Sequence, residues 1–189
     1  LLAAAGLEFE VGPVPVDENL DLFADPAQAA LELATRKALA AARPRAERSP
    51  RAAWWVIGAD TIVAVADRSG AWRLLGKPAD GAEAAAMLRS LSTTRHQVVT
   101  GVCVVRTPDF VRHAAVERTW VTMRAIRAEE VDAYVRSEEW RDKAGGYAIQ
   151  EHADCFVTRL EEGGYDNVVG LPVALTLRLL RESGAPPPH

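Results

Sequence analysis

Cysteine is scarce: Cys103 and Cys155 are the only two in 189 residues, too few for a disulfide framework or a CxxC metal site. No apolar run approaches the about 18 residues of a membrane-spanning helix. No membrane-spanning helix is therefore expected; the protein is expected to be cytoplasmic, with no membrane partner. Positive charge is not in excess either. The 22 Lys and Arg against 26 Asp and Glu give a net charge of −4, the reverse of the basic footprint of a general nucleic-acid binder. His96, His113, His152 and His189 show no HxxxH-type spacing, which argues against zinc. The chain has no GxGxxG and no GxSxG elbow. Gly70 and Gly76-Lys77 imitate a Walker loop, but five residues separate the glycines, and Pro78 stands where Ser or Thr binds magnesium.

What is abundant is alanine. The 34 alanines inflate a hydrophobic fraction of 49%; each buries little area but favours helix. The length suits one domain, in one lobe or two, and a chain this long buries roughly 70% of its unfolded surface. A helix-rich α/β or α+β protein is expected.

Leu1–Ala5 closed by Gly6 reads as the end of a helix, which implies residues before Leu1. Leu7–Val11 alternates apolar and polar residues and predicts a half-buried strand. Asp25-Pro26 caps a helix expected to run to Pro44, followed by an irregular surface loop over residues 43–52. Residues 54–65 give the strongest strand signal, and Trp72–Leu75 reads as a short returning strand. Asp80 caps a helix to Leu91; Gln97–Val105 and Phe110–Met123 read as strands, and Glu129–Ser137 as a helix. Cys155–Leu160 reads as a strand and residues 172–182 as a last helix. Both cysteines are expected to be small buried hydrophobes.

Asp60 interrupts the apolar run of its strand, where an unpaired carboxylate is costly. Either backbone donors satisfy it or it serves as a metal ligand or general base at the sheet rim. Thr61 is an ordinary β-branched strand residue or a ligand contact. Lys77 sits on a stiff Gly-Lys-Pro connection, Lys37 near the alanine face of its helix, and Glu18 beside Asp17 in a proline-bounded loop. Singly, each reads as a solvated or snorkelling charge. Together, two acids and two lysines complement a metal-bound polyphosphate. Residues 142–150, Asp-Lys-Ala-Gly-Gly-Tyr-Ala-Ile-Gln, combine paired glycines with Gln150, whose amide can both donate and accept at a nucleobase edge.

Four segments, Ile57-Gly58-Ala59-Asp60-Thr61-Ile62-Val63, Gly76-Lys77-Pro78, residues 142–150 and Asn167-Val168-Val169-Gly170-Leu171-Pro172, resemble the Maf-like nucleoside triphosphate pyrophosphatases in order and spacing. Phe9-Glu10-Val11 with Asp17-Glu18, and Ala34-Thr35-Arg36-Lys37-Ala38, extend the likeness to nearly the whole chain. The resemblance implies an α/β fold: a mixed sheet flanked by helices, two lobes with a nucleotide cleft between them, and usually a homodimer. It implies hydrolysis of a nucleoside triphosphate to the monophosphate and pyrophosphate with a divalent cation, Mg²⁺ or Mn²⁺. On this basis Asp60 is similar to the general base, and Glu18 and Asp60 to the metal-holding acids. Lys37 and Lys77 correspond to the phosphate-contacting lysines, and Thr61 and Gln150 to residues of base choice. The Asp-Thr and Ile-Gln pairings are those of the dTTP/UTP subgroup. The alternatives are a 7-methyl-GTP preference and a non-catalytic nucleotide sensor that inhibits division. The family's Ser-x-Ser-Pro-Arg-Arg phosphate segment is expected to lie before Leu1. Glu151 stands where the family usually has glycine.

Overall fold

The computed structural model describes residues 1–20 and 23–187; His189, considered above as a metal ligand, lies outside them. Five strands form one sheet in the order β2-β1-β3-β4-β5. They are β1 (Trp54–Ala66), β2 (Trp72–Leu75), β3 (Arg95–Thr107), β4 (Val111–Met123) and β5 (Val157–Glu161). The α-helices are α1 (Pro26–Arg48), α2 (Gly81–Leu91), α3 (Ala128–Ser137), α4 (Tyr165–Val169) and α5 (Val173–Glu182). The expected sheet flanked by helices is present, but each pairing among the described residues is antiparallel, so the sheet is not mixed.

β3 lies at the centre, and its run Val98, Val99, Val102, Cys103, Val104, Val105 is buried on both faces. One face receives α1, whose buried alanines 30, 34 and 38 form a smooth stripe. Glycines on the sheet meet that stripe: a Cβ at Gly58 would lie 2.3 Å from the Ala34 carbonyl oxygen, and one at Gly101 2.3 Å from that of Ala30. Alanine and glycine therefore let backbone rest against backbone. The opposite face carries two separate clusters. Val63, Val98 and Val121 pack with α2 and α3 residues such as Leu88 and Tyr134, whereas Val102 and Val104 pack with Leu175 and Leu179 of α5.

Three local expectations need correction. Leu7–Val11 pairs with none of the five strands; Phe9 and Val11 are exposed, and Glu10 is held by Arg45. Alternation predicts a strand only where a free sheet edge is within reach. α1 continues through Pro44 to Arg48, because Pro44 lies on the exposed side while Ala38 and Ala42 stay packed and Arg45 stacks on Trp54. Cys155 is exposed in a 3₁₀ turn, His152–Phe156, that precedes β5, whereas Cys103 is buried as expected.

His96 is fully buried, with Nε2 3.0 Å from the Tyr147 hydroxyl and Nδ1 3.3 Å from Thr94 Oγ1. Burial lowers its pKa from 6.5 to about 4. The unfolded imidazole thus takes up a proton near pH 6.5, and the folded one only near pH 4. The resulting stability is complete above 6.5 and is lost as the pH falls towards about 4, by up to about 3 kcal/mol. Urea unfolding at about pH 7 and about pH 4.5 is expected to show this loss in the wild type and much less of it in His96→Gln. Equal losses in the two proteins would assign the acid sensitivity to other groups.

Candidate active site

The six residues singled out from the sequence line or border one pocket of about 220 Å³. Its walls include Lys37, Asp60, Thr61, Lys77 and Gln150, with Gly170 of the Asn-Val-Val-Gly segment. Glu18 joins them through ion pairs with both lysines. Gln150 is exposed at the pocket margin.

Each charged residue comes from a different part of the fold. Asp60 lies on β1 opposite Gly101 of β3, on the face covered by α1. The close approach of α1 at Gly58 and Gly101 brings Lys37 onto Asp60, and their Nζ and Oδ1 atoms are directly paired. Lys37 Nζ is also 2.6 Å from Glu18 Oε1, and Lys77 Nζ is 3.1 Å from Glu18 Oε2. Lys77 sits on the short connection from β2 to α2, where Gly76 accepts from the Gly145 amide at 2.9 Å. Gly145 needs its positive φ of 70°, and a Cβ there would lie 2.9 Å from Val63. Gly145 thus seats the 142–150 segment against β1.

The electrostatics follow from partial burial. The Asp60 side chain is only 8% exposed; burial pushes its carboxyl above the ordinary aspartate range, against the downward pull of Lys37. For Lys37, burial opposes the charge, but the hydrogen bonds to Asp60 and Glu18 outweigh it and hold its pKa above that of a free lysine. Glu18 is less buried, and although burial raises its pKa, the two lysines together hold it below the usual carboxylate value. The arrangement is one poised buried carboxylate linked to an alternating chain of charges. A raised carboxyl is a stronger base than a free one, and fixed ammonium groups stabilise charge that accumulates on a leaving group.

Sequence reasoning missed the layer beneath Thr61. Thr100 and Asn167 are fully buried under Thr61. Thr100 Oγ1 lies 2.9 Å from Thr61 Oγ1 and donates to the Asn167 carbonyl oxygen at 3.0 Å. The Asn167 amide nitrogen donates to the Val98 carbonyl and to Thr119 Oγ1. Asn167 stands out in the sequence only as part of the Asn-Val-Val-Gly segment; the pairing of β1 with β3, which sets Thr61 against Thr100, gives the layer its meaning. Asp142 and Lys143 also line the pocket, and Glu151 is exposed and does not. Among the described residues, no three His, Cys, Asp or Glu side chains gather as a metal cluster.

A family model described as Maf-like protein matches residues 1–183, and the chain belongs to this family. Among its relatives is a protein of Deinococcus radiodurans named dTTP/UTP pyrophosphatase. It is 46% identical over 184 residues, which cover 97% of this chain and 87% of the relative. A protein of Bacillus thuringiensis subsp. konkukian with the same name is 39% identical over 182 residues, 96% of this chain and 88% of its own. No helix among the described residues is long and apolar enough to cross a membrane.

Proposed function

We propose that this chain is a nucleoside triphosphate pyrophosphatase that hydrolyses dTTP and UTP to the monophosphate and pyrophosphate. The observation that carries the reading is the meeting of Glu18, Lys37, Asp60 and Lys77, from four separate segments, in one chain of ion pairs at a pocket bordered by Thr61 and Gln150. The relatives' names agree with it.

In this reading a water attacks the α-phosphorus while Asp60 takes its proton. The bond from that phosphorus to the bridging oxygen breaks, and pyrophosphate leaves with the bonding pair. Lys37 and Lys77 neutralise the charge that develops on it. Glu18 and Asp60 suit a divalent cation: both contact the same Lys37 nitrogen, so their carboxylates converge on one point, and hard oxygen donors match Mg²⁺ or Mn²⁺. When bound, such an ion supplies Lewis-acid neutralisation of phosphate charge. Thr61 and Gln150 select the base. The homodimer implied by the family resemblance and the expected cytoplasmic location belong to the same proposal; equilibrium sedimentation at twice the monomer mass is the result expected for the former.

The test is pyrophosphate release from a panel of triphosphates with Mg²⁺ or Mn²⁺. Highest kcat/KM for dTTP and UTP is expected. Faster turnover of 7-methyl-GTP would overturn the base assignment, and nucleotide binding without release would make the protein a sensor rather than an enzyme.

A further inference from the structure

Beneath the pocket, the hydrogen bonds of Thr61 and Thr100 have only one consistent direction. A hydroxyl has one proton and two lone pairs, and a carbonyl oxygen only accepts. Thr100 is fully buried, and its Oγ1 lies 3.0 Å from the Asn167 carbonyl oxygen. Its proton therefore belongs to that bond; the reverse would set lone pair against lone pair where water cannot intervene. The Asn167 carbonyl is held in place by its side-chain bonds to Val98 and Thr119 and by the Gly170 amide at 3.0 Å. With the Thr100 proton committed, the 2.9 Å contact requires Thr61 to donate to Thr100. Thr61 is left with lone pairs alone for the pocket it lines. Gly170 is the neighbour of that oxygen, its Cβ position 3.4 Å away, and brings no side chain to compete for them.

We propose that Thr100 is a positioning residue for base selection, holding Thr61 as an obligate hydrogen-bond acceptor. Such an acceptor matches the imide N3–H of uracil or thymine. It repels the ring N3 of cytosine, which carries a lone pair, and it repels unprotonated phosphate oxygens for the same reason. The phosphates belong instead with Lys37 and Lys77. This inference rests on the pyrimidine nucleotide reading above and deepens it: base choice is set one layer below the residue that touches the base.

The test compares wild type, Thr100→Val and Thr100→Ser by kcat/KM for UTP and CTP and by equilibrium binding of UMP and CMP. Valine keeps the shape but frees the Thr61 proton to point into the pocket. The UTP:CTP preference is expected to fall about tenfold or more in Thr100→Val and to be retained in Thr100→Ser. An unchanged preference in folded Thr100→Val overturns the inference. So does an equal loss for both nucleotides, which would place the hydroxyl against the sugar. Should Thr100→Val fail to fold, wild type with N3-methyl-UMP serves: binding about tenfold weaker than UMP is expected, and equal binding overturns the inference. If wild type hydrolyses neither dTTP nor UTP but prefers UMP over CMP and loses that preference in Thr100→Val, the proposed activity falls and the role of Thr100 stands. No UMP preference in wild type overturns the role of Thr100.

Discussion

Asp60→Asn is expected to lower the rate of pyrophosphate release by about 10²–10⁴-fold while leaving the protein folded. Asparagine keeps the size of the side chain and an oxygen that can accept from the Lys37 ammonium, but it cannot take a proton from water. Two effects on stability oppose each other. The change relieves the burial that works against the Asp60 charge, and it weakens the pair with Lys37. Lys37 is not stranded, because Glu18 lies 2.6 Å from it, so the thermal midpoint is expected to move little. Kinetics across a Mg²⁺ or Mn²⁺ series separate loss of the base from loss of a cation ligand, since raising the metal concentration restores only the latter. Turnover within about threefold of wild type would remove Asp60 from the role of base.

Gly58→Val is expected to damage stability and activity together. Even the first atom of the new side chain would lie 2.3 Å from the Ala34 carbonyl oxygen and 2.5 Å from the Ala38 backbone nitrogen. Those atoms belong to the helix backbone and cannot swing aside, so α1 must lift from the sheet. The cost is about 3 kcal/mol or more, which in a chain of this length lowers Tm by roughly 6–12 °C. Lys37 adjoins Ala38, so lifting the helix also draws its ammonium away from Asp60. A displacement of about 1 Å can cost about 10²-fold in rate, and turnover should fall even well below the melting range. Gly12→Ala is the control: nothing lies within 4 Å of a Cβ there, and neither Tm nor rate should change. A Gly58→Val protein that melts and turns over like wild type would refute the backbone-on-backbone packing.

Asp60 was legible in the sequence because it breaks a local rule, a carboxylate interrupting an apolar strand; Lys77, Lys37 and Glu18 each read singly as a surface charge and stood out only as members of the family's ordered motifs. A violation like that at Asp60 shows in a short window. Thr100 and Asn167 break no rule locally: a threonine in a strand and an asparagine in a short helical turn are both ordinary. Their importance arises from a strand register between residues 39 positions apart in sequence, which no window contains. The errors in the fold have the same origin. Leu7–Val11 has the alternation of a strand but, among the described residues, pairs with none of the five strands, and Pro44 has the chemistry of a helix breaker but faces solvent on a helix already anchored by Ala38 and Ala42.

The ion-pair chain also bears on how much disorder a ligand must remove. A long lysine side chain loses up to about 2 kcal/mol of rotamer freedom when it is fixed. Here Lys37 is fixed between Asp60 and Glu18, and Lys77 by Glu18, when the protein folds. A triphosphate arriving at this pocket exchanges partners with cations that are already ordered, so the entropy of arranging them belongs to folding rather than to binding.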